Sequence, residues 1–357
     1  MTSATDRRTD LFVQQLIDWH FDPRTGSPFW LRRAKSLPFD PREDVRSWSD
    51  LTLFPDVSDE WKDTPASQLI PRASRSEQAP MHVFDSGGTT GRPKRIVEAT
   101  SRRDGVLWVS EVLNSHGVPG VDGGSWLHIG PTGPHIVGRS IGLLAQLRRS
   151  LCFSVDFDPR WVKRCLRAGD TSSVAGYVSH VVDQAVDILQ SQDVSVVFLT
   201  PPILEAICRR PDAFGLLGQR AKAIIWAGTS MSAETIHLVE EELFPDVPLV
   251  GLYGNTLMGI APQRPRRPDD DQPCVFQPFR PSCQIELVDY EDQTKLVDYG
   301  DRGRVKFTLL SRDMFVPNCV ERDTAIRVRP TIGFEGDGVA QIEPLPSASS
   351  DAIVGVY

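Results

Sequence analysis

Three short runs, residues 194–200, 223–226 and 248–252, are apolar almost without interruption. A strand with one face in water alternates apolar and polar residues, whereas a strand covered on both faces does not. Between these runs lie stretches of helical spacing. Residues 201–208 open on two prolines with Thr200 as the expected cap, and residues 233–243 follow. Strand and helix in alternation predict an α/β protein built on a mostly parallel sheet with helices on both faces. Further strands are expected at 125–129 and 151–156. Further helices are expected at 10–22 with Asp10 as N-cap, 100–113 capped by Thr100 or Ser101, 139–147 and 181–190.

Beyond Gly259 the pattern changes. A charged, proline-broken loop at 264–271 precedes runs at 284–288, 305–310 and 325–329 that alternate with period two. They predict a small antiparallel subdomain or barrel. The expected organisation is an α/β core over residues 1–260, with short helices and loops of 23–71 lying over it, and a β-rich subdomain over 261–357.

Composition narrows the function classes. The chain has 357 residues, 40% hydrophobic and 24% charged, with a net charge of −8. That balance argues against a broad nucleic-acid surface, which needs clustered Lys and Arg. No apolar run reaches the length of a membrane span, and the N-terminus leads into no signal-peptide core. The six cysteines lack C-x-x-C spacing. Zinc ligation is unsupported, the thiols read as small core hydrophobes, and a cytoplasmic setting is expected.

The stretch with the most chemistry is Phe84-Asp-Ser-Gly-Gly-Thr-Thr-Gly-Arg-Pro-Lys94. Small side chains leave successive amide N–H groups free to surround anionic oxygens, two hydroxyls add donors, and a lysine follows. It is not the common G-x-x-x-x-G-K-[ST] loop, because Arg92 and Pro93 stand where Gly-Lys would be. Three small-residue loops, at Ser86, at Ala227-Gly228-Thr229 and at Tyr253, each follow an expected strand, over 81–84, 223–226 and 248–252. Ligands of open parallel sheets bind at the carboxyl ends of strands, so the three are expected to form one composite site.

Ser86-Gly87-Gly88-Thr89-Thr90-Gly91-Arg-Pro-Lys94 resembles the phosphate loop of the adenylate-forming superfamily, the acyl- and aryl-CoA ligases, luciferase and peptide-synthetase adenylation domains. Ala227-Gly228-Thr229 resembles its small-residue turn beside adenine. Tyr253-Gly254-Asn255-Thr256 resembles its Tyr-Gly-x-Thr, and Arg322-Asp323 the Thr-Arg-Asp of phenylacetate–CoA ligases. The segment from Gly130 to His135 is similar to a stretch that borders the acyl pocket in that branch. The resemblance covers residues 84–323. It implies ATP-dependent activation of an aromatic or related carboxylic acid to an acyl-adenylate. Lys94 and the loop amides would then hold the leaving phosphates, Thr256 the α-phosphate, Tyr253 the adenine and Asp323 the ribose. His135, Gly228, Gly251 and Met258 would lie around the acid.

Two departures sharpen that implication. The family's glutamate after Tyr-Gly-x-Thr is Leu257 here, so Mg²⁺ is expected to ride on the ATP phosphates, with no protein metal site. The family's mobile C-terminal domain has no counterpart before Tyr357, which makes the chain similar to the short aryl-acid-activating proteins of phenazine pathways. The product would pass to a partner enzyme or another nucleophile. Other readings stay open: the same ATP chemistry on a different small acid, or a scaffold that binds nucleotide or a partner without turnover. His128 reads as a packed or solvent-facing residue, and Asp158-Pro159 as the start of a solvated helix. Arg322 reads equally as an ion-pair partner of Asp323 or a phosphate contact.

Overall fold

A computed structural model describes residues 4–76, 80–87 and 92–345. Its strands run β1 (His82–Asp85), β2 (Arg95–Glu98), β3 (Ser125–Gly130), β4 (Cys152–Asp156), β5 (Val194–Leu199) and β6 (Ala223–Trp226). They continue as β7 (Leu249–Asn255), β8 (Gly259–Pro262), β9 (Cys283–Val288), β10 (Arg302–Leu310), β11 (Phe315–Val328) and β12 (Gly338–Pro344). The chain forms two compact units. The first gathers the described residues up to Gly105, Asn255–Gly259 and Pro278–Asp337; the second holds Val106–Gly254, Ile260–Gln277 and the described residues from Gly338 on. The fold is α/β, with a parallel-rich sheet and helices and an antiparallel β-rich region toward the C-terminus.

The second unit carries the sheet expected from the apolar runs, in the order β4-β3-β5-β6-β7-β8. The ladders from β4 to β7 are parallel. Every residue of β5 and β6 is buried, as two-faced coverage demands. One face packs Trp126, Val196, Phe198, Ile225 and Val250 against Val109 and Leu113 of one helix and Ile141 and Leu144 of another. The second of these helices spans Ile136–Leu147.

Several local expectations shift. The helix expected from 181 starts at Thr171, because Asp170 accepts the N–H of Ser173 as its cap. Thr200 precedes the helix Pro201–Cys208 but makes no side-chain cap bond. The helix expected over 233–243 is α-helical only over Ala233–Leu238, then widens into a π turn over Val239–Leu243. Asp158 does cap its helix, accepting from the N–H groups of Arg160 and Trp161 with Pro159 in the first turn. The loop at 264–271 is not simply solvated. Arg264 is 2% exposed and pairs with Asp270, which also accepts the Arg267 N–H at 2.7 Å.

The first unit is assembled from distant stretches. β1 and β2 form an antiparallel ribbon, and β9, β10 and β11 an antiparallel sheet. Its core is aromatic: Phe315 meets Phe21, Trp30 and Phe54 at centroid separations of 5.4, 5.0 and 5.0 Å. The Trp30 indole N–H donates to the Phe315 carbonyl at 3.1 Å. The N-terminal segment therefore supplies core, not merely cover. Its first helix spans Ala4–Phe21, so Asp10 lies inside it and is no N-cap; the carboxylate instead accepts the Trp48 N–H.

Ser101 stands directly before the helix Arg102–Ser115, and its Oγ accepts the Asp313 N–H at 3.3 Å. Asp313 Oδ2 accepts the N–H groups of Ala99, Thr100 and Ser101 at 3.0, 3.0 and 2.8 Å. β11 begins ten residues before the run at 325–329, and its register slips twice. Arg304 faces Thr324 while Lys306 faces Val320, so Val305 opposes the whole of Glu321, Arg322 and Asp323. Such a bulge breaks the alternation of side chains and re-aims them. At the second slip Asn318 adopts φ 51°, and its amide donates to the carbonyls of Leu51 and Phe54.

Candidate functional site

In the first unit the ends of the Ser86–Lys94 loop are tied together. The Ser86 N–H donates to the Lys94 carbonyl at 2.9 Å, and the Lys94 N–H donates to Ser86 Oγ at 2.8 Å. These bonds extend the β1–β2 ladder one step past the Asp85–Arg95 pair. Gly87 is exposed; Gly88, Thr89, Thr90 and Gly91 lie outside the described residues. The expectation that this loop leaves a strand of the parallel sheet is corrected. β1 belongs to the antiparallel ribbon, while Ala227 follows β6 and Tyr253 lies in β7, both strands of the parallel sheet. Burial cannot tell the two settings apart in a strand of four residues.

The Lys94 ammonium donates to Ser58 Oγ at 2.7 Å and lies 3.2 Å from Asp59 Oδ1. The lysine side chain is 16% exposed and Asp59 79%. An ion pair with so solvated a partner is worth at most about 1 kcal/mol, so a polyanion that meets the ammonium can displace it. Lys62 foremost, and Lys94 with it, hold the Asp59 carboxyl below its ordinary value. Asp56 steadies the same corner, accepting from the N–H groups of Ser58 at 2.8 Å and Val320 at 3.0 Å.

Thr256 Oγ1 donates to the Asp85 carbonyl at 3.2 Å, beside the loop's first residue. Asn255 Oδ1 accepts from the N–H groups of Leu257 and Met258, both at 2.8 Å, and its Nδ2 donates to Glu321 Oε1 at 3.0 Å. Leu257 and Met258 are buried, at 3% and 2% exposure. Asp323 follows Glu321 on the bulge, and its charge acts on that carboxyl. Burial first, then Asp323, pushes Glu321 up to about 7, while Lys94 pulls it down. Ser86, Lys94, Asn255, Thr256, Met258 and Asp323 thus share the first unit. Ser58, Asp59 and Glu321 join them without having been expected. Nothing in the stretch around 58 announces a site, whereas Glu321 could have been noticed as the acid directly before Arg322-Asp323.

The other expected residues belong to the second unit. Ala227, Gly228 and Thr229 follow β6, with Gly228 at φ 96°, a conformation that favours glycine. Tyr253 and Gly254 are not a loop after β7 but part of the strand; the Tyr253 ring lies 6.1 Å from that of Phe276. At Gly251 a Cβ would come within 2.9 Å of both Phe276 and Trp226. Gln263 locks this glycine from both sides, through its side-chain oxygen and its backbone N–H, each at 2.9 Å. His135 stands at the N-cap position of the helix Ile136–Leu147, buried, without a side-chain cap bond. His128 is packed, its ring stacked on Phe198 at 4.9 Å and its Nε2 donating to the Pro131 carbonyl at 3.2 Å. Burial lowers it to about 4.

The residues present do not fit a protein-held metal ion here. Leu257 offers no ligand atom, and among the described residues no three His, Cys, Asp or Glu side chains are grouped to hold one. The six cysteines are free; Cys274, Cys283 and Cys319 are buried and the other three half-buried. No described helix is long and apolar enough to cross a membrane.

No protein-family model matches the chain, and no curated protein does. Solved structures do. The chain is similar to 2-hydroxyisobutyryl-CoA ligase with its acyl-adenylate, 2-HIB-AMP, in the postadenylation state. That match has a TM-score of 0.68 and 13% identity, over 97% of this chain and 69% of the ligase. An open conformation of the ligase with 2-HIB-AMP and CoA gives 0.67 and 14%, over 95% and 74%. An ATP-bound RpMatB-BxBclM chimera gives 0.50 and 16%, over 74% and 47%. At such identities the likeness is one of fold. The structural neighbours are acid-activating ligases, and the chain has their architecture.

Proposed function

We propose that the protein activates a small carboxylic acid, aromatic or closely related, by forming its acyl-adenylate from ATP with release of pyrophosphate. The observation that carries this reading is a single bonded frame in the first unit. Lys94 and Ser86 are tied to each other, and Thr256 is tied to Asp85, the residue before Ser86.

In the reaction a carboxylate oxygen attacks the α-phosphorus, an O–P bond forms, and the bond to the leaving pyrophosphate breaks. The protein contributes position and charge rather than a covalent partner. Lys94 exchanges Asp59 for the leaving phosphates, which Ser86 and the loop amides also meet. Thr256 orients the α-phosphate and Asp323 the ribose. Ala227, Gly228, Thr229, Tyr253 and Gly254 take the purine. His135, Gly228, Gly251 and Met258 border the acid. A divalent ion, in this reading, enters on the ATP phosphates. The acyl-adenylate then passes to a partner enzyme or another nucleophile.

The test is pyrophosphate release across a panel of aryl acids, in the wild type and in Lys94→Ala. Loss of one charge-assisted contact costs about 1.5–3 kcal/mol, so the variant should turn over roughly 10- to 100-fold more slowly. An unchanged rate would remove Lys94 from the site. The buried Leu257 favours a second reading, a scaffold that binds nucleotide without turnover. ATP binding with no acid-dependent release from any acid would select it.

A further inference from the structure

We propose that Glu321 is a positioning residue: through the Asn255 carboxamide it fixes the turn from Asn255 to Met258 and so sets the Thr256 hydroxyl. Its catalytic consequence rests on the adenylation reading above.

The geometry leaves the carboxamide one orientation. Its oxygen faces two backbone donors, the N–H groups of Leu257 and Met258 at 2.8 Å each. Turned over, its NH₂ group would meet two N–H groups and satisfy none. The amide nitrogen must therefore face an acceptor, and Glu321 Oε1 at 3.0 Å is that acceptor. Thr256 sits inside the turn so formed, and its hydroxyl reaches the Asp85 carbonyl on β1.

Glu321 is itself anchored. It opens the bulge where one residue of β10 opposes three of β11, and Arg304 Nε donates to its carbonyl at 2.7 Å. The bonds thus run from β10 through the bulge, the Glu321 carboxyl, the Asn255 amide and the turn to β1. Leu257 anchors the turn by burial, and the acid that touches this motif comes instead from another strand.

The charged groups acting on the Glu321 carboxyl are Asp323 from its own strand, Lys94 beyond the ribbon loop and Asp56 from the N-terminal segment, and the Arg322 backbone N–H donates to it. Burial and Asp323 raise the carboxyl so far that both its protonated and ionised forms are populated near neutrality. Either form accepts a hydrogen bond from the amide. A neutral isostere should therefore serve.

The experiment compares the full-length wild type with Glu321→Ala and Glu321→Gln in two measurements. Amide exchange at Leu257 and Met258 reports the turn directly. Glu321→Ala should speed it about fivefold, the weight of one hydrogen bond, while Glu321→Gln leaves it near the wild-type rate. Acid-dependent pyrophosphate release should show kcat about tenfold lower in Glu321→Ala, with the ATP KM within about twofold of wild type. Glu321→Gln should restore most of that kcat. Unchanged exchange in Glu321→Ala overturns the proposal, and so does faster exchange with kcat intact. Should the wild type release no pyrophosphate with any acid, the adenylation reading falls alone, and the exchange measurement still decides whether Glu321 holds the turn.

Discussion

β5 and β6 bury every residue they contain, while β11 mixes runs of buried and half-exposed residues and slips register twice. In the parallel sheet β5 and β6 are buried along their whole length, so their order is written as nearly unbroken apolar runs. In the first unit the ordering forces join stretches far apart in the chain. Asp313 holds the N–H groups of Ala99, Thr100 and Ser101 from more than 200 residues away. Asn255 meets Glu321 across 66 residues. The comparison separates two jobs. The uninterrupted strands form the apolar core of the second unit, and the irregular ones carry polar groups of the first that the proposed chemistry needs.

The largest effect should come from emptying either core. Phe198→Ala removes a ring that is 1% exposed and stacked on His128; Phe315→Ala removes the ring at the centre of the aromatic cluster. Each should cost about 3–5 kcal/mol, read from denaturant midpoints. A loss under ~1 kcal/mol for one of them would mean that its unit does not depend on the packing described.

Next comes acid. Burial lowers His20 in the first unit and His128 in the second from 6.5 to about 4. The unfolded chain takes up these protons near pH 6.5 while the folded one resists until about pH 4. The stabilisation is complete above pH 6.5 and is lost as pH falls toward 4, by about 3 kcal/mol per histidine at most. Glu321 acts with the opposite sign. Its raised carboxyl favours the folded state below pH 4.5, and that contribution drains away as pH climbs to 7. Unfolding measured at pH 7 and pH 5 should show a net loss on acidification, and replacing His20 or His128 with glutamine should flatten it. An unaltered pH slope in both variants would refute the burial argument.

The smallest expected effect is at a cap. Asp158→Ala deletes the acceptor for Arg160 and Trp161 at the start of the helix Pro159–Arg167, at about 1 kcal/mol. Being local and exposed, it should leave pyrophosphate release untouched, and slower release would show that the scaffold and the site are not separable in this way.

What could be read from the sequence follows the same division. Strands β5 and β6 and the helix Pro201–Cys208 were legible because burial on both faces, or a proline in the first turn, leaves a local mark. The Thr171 start of its helix was not, since the weakly apolar first turns hide the period. At the candidate site Lys94, Thr256 and Asp323 were expected from the resemblance of their motifs, and all three belong to the first unit. Ser58 and Asp59 were not, because their link to Lys94 spans 36 and 35 residues and depends on how an irregular segment folds back. The bulge at Glu321 leaves no mark either, since an extra residue in a strand looks the same as a missing one elsewhere.

The distance between Trp30 and its acceptor at Phe315, 285 residues along the chain, also sets a clock. A ribosome adding about 5–20 residues per second needs roughly 15–60 s to cover it. Through most of that interval Phe21, Trp30 and Phe54 have been made but their central partner has not. β3 to β8 are all complete by Pro262, so the parallel sheet can be finished while the aromatic segment still waits. A newborn chain of this kind offers chaperones an apolar N-terminal handle until residue 315 emerges.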